Sequence, residues 1–585
     1  MTSVPDNRSV RTLRKLPLVA TLALLFGSQL TASATHALPS GAFDAERFVA
    51  AQRASRSALR KQFLLRNGPL PVAPDRPAAT IAVSNCDDSG PGSLRAAFTQ
   101  AVSGDVIDLT ALTCSTISLS SGALSSGVDD LTLNGPGADR LSIDAGNASR
   151  AIALMGQYGE LKIDGLDIRN GSYTYSGPGE LGSLAAGGCV LAARFATISN
   201  SRISHCSARG KSVHGGAINA SGKLTLVNST VTGTTAAADS SDISATIVGG
   251  AVDGDAVYLT DSTVSGAIVT AHTTSAYAGV FGGGVFGMYG VVLTGSTVSG
   301  VDVQVTAAKD AYAKGGGVGS PMAVIMDRTT IADNSVRGTP GAGAGEQGTY
   351  FSAISGGGVY IASVPRTSPP ASKIYNSTIS GNAALCDGEA GSYTRGGGGG
   401  LGTVSRTPVT IVNSTISGNR SNLKGGALYT RDFGALVLAN ATLTGNRADT
   451  GAAIADNGAQ FPEALRIDSS IVAGNLAFGT ATPMQIVTVH DISGANNLIA
   501  SANVALPADT LGGDPLLGPL ADNGGPTLTH RLLPGSPAID HGNNLLDLPV
   551  DQRGDGHARV FGTAADIGAY ESQFPADTIF LDGFD

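Results

Sequence analysis

Carboxylates and imidazoles are the groups in this chain with catalytic potential, and their spacing separates an enzyme from a scaffold. Asp253 and Asp255 follow a Gly249-Gly-Ala-Val phrase, and Asp327 and Asp333 flank a related one. A glycosidase needs two acids set across a single bond. These acids do not recur as a cluster, so no catalytic residue is assigned. His205, His214, His272 and His490 are scattered, with no H-E-x-x-H, no calcium-loop spacing and no C-x-x-C. The pattern therefore predicts neither a metal site nor a cofactor, and places the histidines on surfaces and turns. A polysaccharide lyase or glycoside hydrolase working in a groove is the alternative, with Asp253, Asp255 and Asp327 as its residues.

Two other sets invite a role. Tyr277, Tyr312, Tyr350 and Tyr393 recur in the segments 270–281, 306–314, 338–355 and 386–395, which with 234–248 read as loops on one side of a repeat. A tyrosine offers an apolar ring with a polar tip, which suits contact with an extracellular glycan or a surface protein, or packing of its own loop. Near the carboxyl end, Asp540, Asp551, Arg553, Asp566 and Glu571 fit either oxygen ligands for calcium or a carboxylate–arginine network that closes a cap. The network is the expectation adopted.

What positions these residues is a repeat. The phrase Asn228-Ser-Thr-Val-Thr-Gly returns as Asp261-Ser-Thr-Val-Ser-Gly, Gly295-Ser-Thr-Val-Ser-Gly, Asn376-Ser-Thr-Ile-Ser-Gly-Asn and Asn413-Ser-Thr-Ile-Ser-Gly-Asn, with looser copies at Asn200, Arg328, Asn440 and Ser469. A glycine pair precedes each, as in Gly215-Gly-Ala-Ile and Gly425-Gly-Ala-Leu. Two linked phrases at one period define a solenoid. The starts at 228, 261, 295 and 328 lie 33, 34 and 33 residues apart, whereas 413 and 440 differ by 27. Leu224 and Leu226 alternate, Asn228 turns the chain, and Val231 points inward again. Period two between single bends means strands, so the expected fold is all-β, a right-handed parallel β-helix. The bend residues Asn228, Asn376, Asn413 and Asn440 are expected to ladder from coil to coil.

The ends divide the chain further. Arg8, Arg11, Arg14 and Lys15 precede an apolar run over 16–30 that ends in small residues, the pattern of a secretory signal peptide, assigned to 1–37 with cleavage after Ala34 or Ala37. Residues 38–79 read as a basic amphipathic segment and a proline-rich linker; the segment, a helix over 38–68, is expected to lie over the solenoid's open end or to be partly disordered, with contact to a membrane surface or partner as the alternative. The β-helix spans 80–508 with a short capping helix over 94–102. A loop-rich C-terminal cap spans 509–572, and 573–585 form a tail. No later segment has the ~20 apolar residues of a membrane span. Glycine reaches 80 of 585 residues and tryptophan is absent, as suits tight turns around a thin core. A net charge of −9 without a basic run excludes nucleic acid as a partner. Five cysteines in an exported chain permit two disulfides, with Cys86 and Cys114, and Cys189 and Cys206, as the nearest pairs; their connectivity stays open.

The repeat phrases resemble polymorphic outer membrane protein repeats of the pectate-lyase-like superfamily, over roughly 81–500. Gly524-Gly-Pro-Thr, Gly535-Ser-Pro-Ala-Ile-Asp540, Asp551-Gln-Arg-Gly and Asp566-Ile-Gly-Ala-Tyr-Glu571 are similar to a choice-of-anchor Q domain. The resemblance implies an exported outer-membrane or extracellular protein, often adhesive, without implied catalysis.

Overall fold

The computed structural model describes residues 70, 74–175, 184–242, 244–275, 277–341, 353–362, 371–387, 395–404, 407–431, 434–456 and 465–573. The expected signal peptide and basic segment, Tyr350, Tyr393 and nearly all of the tail lie outside them.

Among the described residues, parallel strands stack into sheets of 23, 17 and 13 strands, each strand pairing with its counterpart one coil before and one coil after. The fold is a right-handed parallel β-helix, the handedness that parallel crossovers take. A representative coil enters at Gly215-Gly216 and runs along Ile218–Val227 in the 23-stranded sheet. It bends at Asn228, adds Thr230–Thr232 to the 13-stranded sheet, then Thr235–Ser240 and Ala245–Val248 to the 17-stranded one. The turn phrases explain the three corners. Asn228 takes φ 45°, and Asp261, Arg328, Asn376, Asn413 and Asn440 repeat that left-handed conformation. Of the glycine pair, Gly215 has φ 60°, and a Cβ on Gly216 would strike the Gly250 carbonyl of the next coil.

Alternation sends one residue of each short strand inward. Ile203, Val231, Val264, Val298, Ile331, Ile379, Ile416 and Leu443 pair in register down the 13-stranded sheet, and all are fully buried. Each such side chain contributes about 1.5–3 kcal/mol of transfer free energy.

The bend asparagines bond from coil to coil in places, with Asn413 Nδ2 donating to Asn376 Oδ1 at 3.4 Å, and a second, buried ladder uses other asparagines. Asn228 does donate to Asn200 Oδ1 at 2.9 Å and Asn376 to Asp327 Oδ1 at 2.9 Å, but Asn228 is exposed. The continuous ladder lies inside and uses the last residue of the phrase. Asn334, Asn382, Asn419, Asn446 and Asn475 each donate Nδ2 to the next amide oxygen at 2.6–3.0 Å, ending at Gln485. A serine ladder accompanies it, with the Ser201, Ser229 and Ser262 amides donating to the hydroxyls of Ser229, Ser262 and Ser296.

At the first coil, the helix Leu94–Gln100 is capped by Ser93 and buries Leu94, Ala97 and Phe98 against the core. It ends two residues short of expectation because the Val102 amide donates to buried Asp105 instead of continuing the helix. Cys86–Cys114 joins the first two coils, whereas Cys189–Cys206 crosses the interior of one coil. At the far end Ala502, Val504 and Leu506 pack on the last coil.

The segment beyond then runs back along the outside of the 13-stranded sheet. Leu528 lies on Thr378, Gln552 on Thr415, and Ala569 on Thr442. This C-terminal region is loop-rich and acts as a lateral clasp over several coils.

Candidate functional site

Tyr277 lies in a connection between the two strand rows of the 17-stranded sheet, whereas Tyr312, expected in a loop, lies on the strand Ala311–Lys314, where it pairs in register with Gly279. Strands Thr235–Ser240 and Ala245–Val248, Ile268–Thr273 and Ala278–Phe281, Asp302–Ala307 and Ala311–Lys314 repeat one arrangement, followed by Ser335–Thr339 with Ala353–Ser355 and Ala383–Cys386 with Arg395–Gly397. Length therefore varies at one corner while the stacked columns keep register. From the coil at Val359 onward, longer connections also open between the two limbs of the 23-stranded sheet, as between Val359–Ala362 and Ser372–Tyr375.

Tyr277 is half-buried, with Lys309 Nζ 5.9 Å from its ring centre. Tyr312, also half-buried, faces Lys314 at 5.7 Å. Beside the loops, exposed strands carry charge pairs: Arg209 to Asp239 at 3.1 Å, Lys211 to Asp242 at 2.8 Å, and Arg337 to Asp387 at 2.7 Å. His272 lies 3.9 Å from Asp239 in this row. Such exposed pairs add little stability, and the face carries mixed charge and aromatic edges.

The glycine-pair corner next to this face has its own chemistry. Asp253 is fully buried, accepts from Asn219 Nδ2 at 2.7 Å, and lies 3.1 Å from His214 Nδ1. One coil further, Phe281, Phe286, Met288 and Met322 form an apolar cluster apart from the main core. Lys314 lies within 5.3–5.7 Å of the rings of Phe281, Tyr312 and Tyr360 and is 3% exposed. Burial, aided by the charge of Arg431, pushes its ammonium down to about 7. Nothing in the repeat phrases marks Lys314; the only signal was a lysine at the position that precedes a glycine pair, where neighbouring coils place His214, Val248 and Phe281.

The candidate catalytic acids are not brought together. Asp253 is sealed at the glycine corner, and Asp255 is half-buried on the same strand. Asp327 lies at the opposite end of a limb, bonded to Asn376 and to Arg328 Nε at 3.1 Å, and Asp333 sits exposed at the next bend. His205 occupies a left-handed corner at φ 52°, and His490 lies 3.5 Å from Asp456.

The clasp gathers its charged residues into one buried network. Arg553 Nη2 lies 2.7 Å from Asp551, and a residue overlooked in the sequence, Arg559, lies 2.9 Å from Glu571 with both side chains fully buried. Backbone amides donate to these carboxylates as well: Glu571 to Asp551 Oδ2 and Phe561 to Glu571 Oε1, both at 2.8 Å, with Asp540 to Asp566 Oδ1 at 2.8 Å. Burial pushes Asp566 up to about 6 and Glu571 up to about 7, against the opposing charge of Arg559. Protein donors fill these carboxylates, the arrangement of a structural ion network. Cys386 is buried, its backbone bonded to the Asn422 side chain.

No family model matches this chain, and no curated protein is similar to it. Among solved structures it is similar to the crystal structure of pectate lyase Pel9A, at 11% identity and a TM-score of 0.29, over 84% of this chain and 97% of that one. Among the described residues, no helix is long and apolar enough to cross a membrane.

Proposed function

We propose that this protein is an exported, surface-displayed β-helix scaffold that binds an extracellular glycan or a surface protein through the loop corner of its 17-stranded sheet. In this reading it has polymorphic outer membrane protein-like repeats and a choice-of-anchor Q-like clasp, and it carries out no catalysis. The observation that carries the proposal is the change in loop length from coil to coil between the two strand rows of the 17-stranded sheet, beside exposed charge pairs, Tyr277 and Tyr312. Binding residues are disproportionately found on loops held by a rigid scaffold. The separation of Asp253 from Asp327, and the sealing of Asp253 under Asn219 and His214, weigh against two acids acting on one sugar bond.

The test incubates the full mature chain with acidic and neutral polysaccharides, measuring new reducing ends, unsaturated sugars and retained polymer. Retention without new ends, weakened by Tyr277→Ala or by removal of 342–350, is the expected result. Cleavage that disappears in Asp253→Asn or Lys314→Met would replace this reading with a lyase or hydrolase.

A further inference from the structure

Along the glycine-pair corner, side chains that point away from the main core are nevertheless buried. Val252, Val285 and Val359 face inward, so Asp253, Phe286 and Tyr360 after them face outward; Val213, Val280 and Ala313 likewise turn His214, Phe281 and Lys314 out of the 17-stranded sheet. All six outward residues are at most 5% exposed. The two outer faces converge here, with His214 Nδ1 3.1 Å from Asp253 and Lys314 5.3 Å from the Tyr360 ring. The corner is therefore an elbow, a groove that follows the axis. Its floor is apolar in two stretches, Ala153, Met155, Ala186 and Leu191 in the early coils, then Val248, Phe281, Phe286, Met288 and Met322. In register between Phe286 and Tyr360 stands Gly319, which leaves a notch lined by Phe281, Lys314 and Pro321.

The chain itself leads into this groove. Read backwards from the strand Thr80–Ala82, the Ala79 amide donates to Asp105 Oδ1 at 2.7 Å beside the first coils. Leu70 then packs on the first apolar stretch of the elbow, and a Cβ on Gly127 would meet it at 3.2 Å. The residues before the first strand thus travel along the axis and away from the solenoid's end, which the helix Leu94–Gln100 already covers. The sequence further back suits the rest of the groove. Pro39 and Pro69 bracket a proline-free stretch in which Phe48, Ala51, Ser55, Leu59 and Phe63 share one helical face, with Arg53, Arg56 and Arg60 on the other. From Ala153 to Tyr360 the register advances six coils, about 29 Å, and a helix over 38–68 would be about 46 Å long. Residues 38–68 carry six basic and two acidic side chains, whereas 69–585 carry 27 and 43, so the two parts attract.

We infer that residues 38–69 form an arm that lies lengthwise in the elbow, its Phe48-to-Phe63 face on Met288, Met322 and the Gly319 notch, where it shields the Lys314 amine from solvent. This contact is separate from the loop corner and does not depend on ligand binding there.

Trypsin and hydrogen peroxide test the arm on the full mature chain. Leu59→Asp with Phe63→Asp should release it, so that trypsin cuts within 38–69 and Met288 and Met322 oxidise about tenfold faster than in the wild type, because peroxide reaches only an open groove. Arg53→Ala with Arg56→Ala, on the opposite face, should leave the methionines as protected as in the wild type. A peptide of residues 38–69 added to the released variant is expected to restore their protection, which a misfolded variant would not allow, and the same peptide with both aspartates is not. Equal oxidation in the wild type and the released variant overturns the inference, as does trimming of the wild type by trypsin that leaves methionine oxidation unchanged. Protection lost on dilution of a dimer would give the groove to a second copy, and protection that requires phosphatidylglycerol vesicles would give it to a lipid surface; either result also overturns the inference.

Discussion

Asn419 shows how a single amide can hold three coils. Its Nδ2 donates to Asn446 Oδ1 and to the Ile379 carbonyl, and its Oδ1 accepts from both the amide and the side chain of Asn382. Replacing it by leucine strands the Asn382 donors inside the core, at a cost of about 1–3 kcal/mol for each unsatisfied group. Denaturant midpoints should therefore fall far more for Asn419→Leu than for Asn228→Ala, which gives up only exposed bonds. Lys314 makes a prediction of opposite character. Its folded pKa of about 7 lies below the ~10.4 of an unfolded lysine, so between these values the unfolded chain binds the extra proton. Stability rises with pH across that window, and Lys314→Met should flatten the rise in melting temperature measured from pH 7 to 10.

The element whose role was least visible in the sequence is the clasp. Its charged residues could be collected from the motifs around Asp540, Asp551, Arg553, Asp566 and Glu571, but Arg559 could not, because nothing in its neighbourhood marks it as the partner of Glu571. The repeat phrase was legible for a physical reason: alternation and left-handed corners are local demands, so they print directly on consecutive residues. Which asparagine faces inward depends on the strand that follows the Ser-Gly corner, and a motif containing both Asn413 and Asn419 does not distinguish them. Sideways docking is less legible still, since it depends on residues more than a hundred positions apart, such as Thr415 and Gln552. Arg559→Met tests the clasp as an element. It leaves the Glu571 carboxylate buried without its cation, a loss of about 3–5 kcal/mol. Limited proteolysis should then cut within 512–573 while the Thr230–Ile331 region resists; a protease-resistant clasp in the variant would count against the network as its fastener.

Over the whole molecule, each coil touches its neighbours and little else, so stability accumulates along the axis approximately as a sum of coil and interface terms. The clasp breaks this one-dimensional rule. It ties the coils at Asn376, Asn413, Asn440 and Ser469 to one another through a single buried segment and adds a further apolar cluster of Ile471, Leu498, Leu532, Ile539 and Ile567. Among the described residues no such strap crosses the coils from Cys189 to Thr330, where stacking, the Cys189–Cys206 bond and the serine ladder hold the coils. Truncation after residue 511 removes the clasp and leaves Ala502, Val504 and Leu506 to close the end. Amide exchange followed by mass spectrometry should then show protection falling in strands Thr378–Ser380, Thr415–Ser417 and Thr442–Thr444 while strands Thr230–Thr232 through Thr297–Ser299 keep theirs, because local opening reports local stability. Uniform loss along the entire solenoid would mean that the coils unfold as one cooperative unit, and that the clasp sets the stability of the whole β-helix and not of the coils beneath it.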